Sequence, residues 1–136
     1  CKGWEGIVGI ENYAFKAKGK LFQIGEIGGI LKYHLGNLTL PYTLFAPVHV
    51  KMMGGGHSKA SKFDIAMNIQ KKHHLDFSGL GDLSYDLYDA YTIAALTALK
   101  LDYGNDQYSS ITSLANPSMK EKLRKKLTEK GFQYSL

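Results

Sequence analysis

The sequence predicts an α/β fold with parallel strands. Two short apolar runs, GIVGIE at 6–11 and YTLFA at 42–46, alternate with longer segments whose apolar residues recur at helical spacing. The first run is apolar up to its closing acid instead of alternating, the pattern of a strand buried on both faces. The chain has 136 residues, 44% of them hydrophobic and 21% charged, the balance of a globular protein able to bury a core.

The elements follow in order. GIVGIE (6–11) is the first strand, and NYAFKAKGKL (12–21) reads as a loop with aromatic and lysine residues interleaved. From Phe22 to His34, Ile24, Ile27, Ile30 and Leu31 mark a helix. Gly25, Gly28 and Gly29 weaken its intrinsic propensity, so tertiary packing, by close approach to a neighbour, is expected to hold it. GNLTLP is a turn into the second strand, which Pro47 stops. PVHVKMM reads as a short helical turn and GGGHS (54–58) as a flexible break. A helix is predicted over 58–74, with Ser58 or Ser61 as its cap. Residues 75–84 form a loop, and SYDLYDAYTIAALTALK (84–100) forms a helix ending near Asp102. YGNDQYSSI is irregular; a last amphipathic helix is predicted over 117–130, with Pro117 in its first turn and Gly131 past its end.

No apolar run reaches the roughly 18 residues of a membrane helix. The opening CKGWEGIVGIENY enters a strand pattern directly, without a secretory signal's features. Cys1 is the only cysteine, which excludes an internal disulfide and fits a reducing compartment. The net charge of +5 is uneven: from Thr112 onward six basic residues (Lys120, Lys122, Arg124, Lys125, Lys126, Lys130) face only Glu121 and Glu129. A basic tail on a near-neutral body suits an anionic partner such as nucleic acid. A solvated charged helix is the plainer reading of that charge alone.

Three acids can carry chemistry. Glu11 closes the first strand, a site-building position in open α/β sheets. Asp86 and Asp89 are one helical turn apart and share a face. Should the start of that helix meet the strand's end, three carboxylates converge, and their repulsion is relieved by a hard divalent cation. Such ions activate water and stabilise the leaving oxygen of a phosphodiester. Taken separately, an aspartate in a helix's first turn is ordinarily a dipole-stabilised cap, and a strand-end glutamate is ordinarily solvated.

The blocks IVGIENYAF, FQIGEIGGILKYHL, PYTLFAPVHVK, GGHSKASKFDIAM and YDLYDAYTIA, in this order, resemble the RuvC-like Holliday-junction resolvases, especially the phage-type members, over roughly residues 6–100. No single block is specific; their succession is. The resemblance implies a ribonuclease-H-like fold with a mixed sheet flanked by helices. It also implies a homodimer in the cytoplasm of a bacterial or phage-infected cell, and Mg²⁺-dependent nicking of branched, four-way DNA, with Mn²⁺ a possible substitute. Glu11, Asp86 and Asp89 take the places of three of the family's four metal-binding acids.

The fourth, an aspartate in the family's first strand, has no counterpart here, nor do the first three strands and the first helix. The expectation is therefore a fragment or an incomplete sequence, with a non-cleaving relative as the competing explanation; the three retained acids favour the former. On this reading residues 1–103 are the C-terminal part of the nuclease domain and 104–136 a basic extension that grips DNA arms or packs across a dimer. A non-catalytic junction-binding protein, or another ribonuclease-H-like nuclease, is the alternative.

Tyr13 and Phe15 beside Lys16, Lys18 and Lys20 suit DNA, the lysines neutralising phosphates and a ring stacking on a base. By resemblance one of the two aromatics acts at the branch point; the sequence does not choose between them. Lys59 and Lys62 open the helix after GGGHS, where free N–H groups already attract phosphate. The resemblance gives Lys62 a catalytic role beside the metal. The Walker pattern is absent, so Gly54–Gly56 read as a hinge. His73 and His74 are adjacent and point differently, which argues against zinc; His57 reads as a surface residue, and Met52 and Met53 as core or dimer contacts.

Overall fold

The structure, a computed structural model, describes residues 6–12, 21–102 and 107–128, and of residues 21–27 and 128 the backbone alone. Strand β1 (Val8–Glu11) is followed by helix α1 (Leu21–Asn37) and strand β2 (Tyr42–Phe45). The strands pair in parallel, Val8 opposite Tyr42 and Glu11 opposite Phe45. The parallel pairing read from the two apolar runs is therefore present. The expected mixed sheet is not what the described residues form: they make one parallel pair with β1 next to β2.

The rest is helical: α2 (Pro47–Gly55), α3 (Lys62–His73), a 3-10 segment (Ser78–Leu83), α4 (Ser84–Leu101), the short α5 (Ser109–Thr112) and α6 (Pro117–Thr128). PVHVKMM thus opens a complete helix instead of a single turn, because Pro47 at its first position needs no N–H partner and fixes a helical φ. Gly54 and Gly55, expected in a flexible break, close that helix. Gly54 is buried where a Cβ would lie 2.9 Å from both Ile65 and Thr92, and the chain leaves the helix through Gly56 at φ 87°.

Helix α3 starts later than expected, at Lys62. Ser61 caps it: the Asp64 N–H donates to Ser61 Oγ at 3.1 Å and the Ser61 N–H to the Asp64 carboxylate at 2.9 Å. Helix α1 differs from expectation at Gly29, where an added Cβ would meet nothing within 4 Å. Close approach is not that glycine's role, since the neighbouring Ile30 and Tyr33 face solvent.

The core lies among helices α2, α3, α4 and α6. Val50, Met52 and Met53 meet Ile65 and Ile69, Leu96 and Leu99, and Leu114, Leu123 and Leu127. Met52 and Met53 are therefore core residues. Leu123 and Leu127 bring the basic helix α6 into the same core as α4, while Glu121, Lys122, Lys125 and Lys126 lie exposed. Beneath α6, the fully buried carboxylate of Asp102 accepts a 3.0 Å ion-pair hydrogen bond from Arg124 and one from the Gln107 N–H at 2.9 Å. At the other side of α4's last turn, Lys100 reaches the buried Thr43 hydroxyl of β2 at 2.7 Å.

Helix α4 lies against β1, and Gly9 permits the contact. A Cβ there would sit 2.1 Å from Thr97 Oγ1 and 2.9 Å from Ile93 Cγ2. Gly9→Ala is expected to cost about 1–3 kcal/mol by forcing strand and helix apart. Adding Thr97→Ala, which removes the nearest atom, should restore part of the loss in a urea melt. If the double variant shows no recovery, the close approach is not what requires glycine.

Thr39, in the turn from α1 to β2, has φ 54°. A β-branched residue in the left-handed region is strained by about 1–2 kcal/mol, and glycine's greater unfolded-state entropy offsets about half of that. Thr39→Gly should therefore raise stability by about 0.5–1 kcal/mol, read as a higher denaturation midpoint. A lower midpoint would contradict it.

Candidate functional site

β1 and β2 end side by side, so Glu11 at the tip of β1 lies next to the turn that enters α2. α4 packs across β1, which carries Asp89 to the same region. Glu11 is exposed as a residue, yet its carboxyl is partly stripped of water. That desolvation raises its pKa above the ordinary value of 4.5, and the charge of Asp89 raises it further. Lys62 and Lys51 pull in the opposite direction. Asp89 is half-buried and its pKa is likewise raised, first by desolvation and then by Asp86, against the pull of Lys62. The Lys62 ammonium stands 4.0 Å from Asp89 Oδ2.

The sequence-predicted residues thus fall into three groups. Glu11, Asp89 and Lys62 share one electrostatic neighbourhood. Asp86 joins it through Asp89, one turn earlier on the same helix face. Among the described residues no three His, Cys, Asp or Glu side chains converge into a ready-made ion site. Lys59 lies exposed in the turn before α3. Tyr13, Phe15, Lys16, Lys18 and Lys20 fall outside the described residues.

The N-cap position of α4 is Leu83, and no side chain hydrogen-bonds there. Asp86 lies in the first turn, where the helix dipole favours a negative charge. Asp89 lies beyond that turn, so the dipole does not explain it. Neither family models, curated proteins nor solved structures match this chain.

Lys51 escaped the sequence reading. It is the one charged residue of PVHVKMM, on a helix that begins two residues after β2 ends, and that proximity to a strand terminus was the available signal. His57 is exposed, 4.0 Å from Asp64. His73 points away from the acids, its ring nitrogens bonded to the Tyr91 hydroxyl and, at 3.0 Å, to Ser113 Oγ. His74 ends α3 at φ 56°. No helix among the described residues is long and apolar enough to cross a membrane.

The donor set suits a hard cation. Glu11 and Asp89 are both partly desolvated, the charge of Asp89 raises the proton affinity of Glu11, and positive charge relieves both. Mg²⁺ typically takes only one or two carboxylates and keeps several waters, so it needs no closed protein cage.

Proposed function

We propose that this chain carries part of the active centre of a Mg²⁺-dependent endonuclease that acts on four-way DNA junctions. The supporting observation is the electrostatic coupling of Glu11 to Asp89, with Asp86 one turn away and Lys62 4.0 Å from Asp89. The order of sequence blocks that resembles the RuvC-like resolvases supplies the substrate class, the ribonuclease-H-like fold and the dimer.

In this reading Glu11, Asp89 and Asp86 would hold the ion. Bound Mg²⁺ supplies Lewis acidity and a water of lowered pKa. Lys62, in the first turn of α3 beside that helix's free N–H groups, holds a non-bridging phosphate oxygen and offsets charge that grows in the transition state. Lys51 approaches Glu11 and lowers the cost of keeping it ionised. Lys59 and the lysines after β1 neutralise flanking phosphates.

The test is cleavage of a labelled four-way junction, an RNA–DNA hybrid and a plain duplex, each with Mg²⁺, with Mn²⁺ and with EDTA. Junction-selective, EDTA-sensitive nicking supports the proposal. Tight junction binding without nicking in either metal would replace it with a non-catalytic junction-binding protein. Preference for the hybrid would assign a different nuclease chemistry. Sedimentation of the same sample reads the dimer.

A further inference from the structure

Helix α6 carries a charged side that the proposed active centre does not use. Ser118, Glu121, Lys122, Lys125 and Lys126 fall at positions i, i+3, i+4, i+7 and i+8, so they share one side of the helix. All five are exposed, and they line a shallow hollow of about 380 Å³. No apolar residue interrupts the stripe, because Leu123 and Leu127 are buried in the core. Glu121 pairs with Lys125 at 3.5 Å. No ion pair among the described residues engages Lys122 or Lys126. These two stand one turn apart, about 6 Å along the axis. Like charges at that spacing destabilise a helix, and a polyanion relieves them.

The chemistry of the stripe selects among polyanions. An acidic membrane surface takes up an amphipathic helix by its apolar side, and that side of α6 is committed to the core. A protein partner anchors on aromatic or aliphatic side chains, and interface centres are poor in lysine and glutamate. Single-stranded nucleic acid is held by rings stacked on its bases, and no ring lies on the stripe. A duplex turns its phosphates outward, and lysines meet them as point charges without reading sequence.

The stripe is also fixed relative to the acids. Leu123 and Leu127 pack into the core, and Arg124 bonds Asp102 at the end of α4 at 3.0 Å. Asp89 precedes Asp102 by thirteen residues, about 20 Å of helix. A duplex advances 3.4 Å per base pair, so that separation spans roughly six base pairs.

We propose that Lys122 and Lys126, with Lys125 beside them, grip the phosphate backbone of a DNA duplex, on a junction arm roughly six base pairs from the acids. That the duplex is DNA and an arm of a junction rests on the nuclease reading; the grip on a duplex backbone rests on α6 alone.

The test titrates the full chain in EDTA, where nicking does not intervene, with a plain DNA duplex and with a four-way junction, over a series of salt concentrations. Lys122→Gln with Lys126→Gln should lower the slope of log affinity against log salt by about 1.8 on both, since each lost phosphate contact removes about 0.9. Its melting temperature should equal the parent's, because both side chains are exposed. Lys122→Arg with Lys126→Arg should keep the parent's slope. Neutral methylphosphonate linkages along one arm should weaken the parent most at roughly six base pairs from the branch, and the glutamine variant should lack that step. An unchanged slope in the glutamine variant would overturn the proposal. So would a loss confined to the junction, which would make α6 a reader of the branch. Tighter binding to an RNA duplex, to phosphatidylserine vesicles or to polyglutamate than to the DNA duplex would overturn it as well, each assigning the stripe a different partner. Failure to nick in Mg²⁺, with the slope change intact on plain duplex, would remove the nuclease reading and leave the grip in place.

Discussion

Asp89→Asn is expected to abolish Mg²⁺-dependent nicking without weakening the metal-free fold. The loss should be at least about 100-fold, because removing even an outer-shell partner commonly weakens a metal site by 10–100-fold, and this substitution removes a ligand charge. Stability should move the other way. Asp89 is half-buried and repelled by its acidic neighbours, and its partner Lys62 is 65% exposed, so the ion pair offers little compensation. The melting temperature of the metal-free variant should equal or exceed the parent's. A variant that still nicks junctions would contradict the assignment; one that loses nicking and stability together would make Asp89 a structural residue.

The same acids set a pH dependence. A carboxyl whose pKa is higher folded than unfolded binds more protons in the folded state over the interval between the two values. Its contribution to stability therefore rises as pH falls through the raised folded value and levels off below the unfolded one. That interval extends upward from 4.5 for Glu11 and from 3.8 for Asp89. His73, lowered from 6.5 by burial and then by Lys72 and His74, acts in the opposite sense and loses stability as pH falls. The difference between the parent and Glu11→Gln isolates the acid: the parent should gain relative to the variant on acidification, and Mg²⁺ should reduce that difference. Equal pH profiles would show Glu11 to be ordinarily solvated.

The largest effect on folding is expected at Arg124. Asp102 is fully buried, and its Arg124 partner crosses from α6 to the end of α4 at 3.0 Å. Among the described residues, Arg124→Met leaves that carboxylate with the Gln107 N–H alone, which should cost about 3–5 kcal/mol and lower the melting temperature by about 10–20 °C. Removing both charges, as in Asp102→Leu with Arg124→Met, should cost far less than the single change. A double-mutant cycle measures the coupling. If Arg124→Met melts like the parent, α6 is held by Leu123 and Leu127 alone.

The sequence disclosed what depends on local period. The apolar run ending at Glu11, the two candidate caps Ser58 and Ser61, and the spacing of Tyr91, Ala95 and Leu99 each placed an element to within a few residues. It did not disclose pairings across distance. Lys100 looks like an ordinary lysine in a helix's last turn, and only the fold brings it to Thr43. Arg124 looks like one more charge of a basic tail, although its partner is 22 positions earlier. For the same reason, removing residues 117–136 would not report cleanly on DNA contacts, because it would strip Leu123 and Leu127 from the core; reversing the exposed charges of Lys122 and Lys126 is the sounder test. Of the candidate site, the acids and Lys62 were legible as positions, but the shared field of Glu11 and Asp89 was not. It arises from the packing of α4 across β1, which no local pattern encodes.

Tyr88 sits between the two aspartates in the chain, and its ring is sealed in the interior. Its hydroxyl accepts hydrogen bonds from the Phe77 N–H at 2.9 Å and from Gln70 at 2.7 Å. At about 100° per residue, Tyr88 points well away from the side shared by Asp86 and Asp89. It therefore works as a rotational stop. Turning α4 about its axis would expose the ring and break both bonds, so the packing of Tyr88 fixes which side of the helix carries the acids.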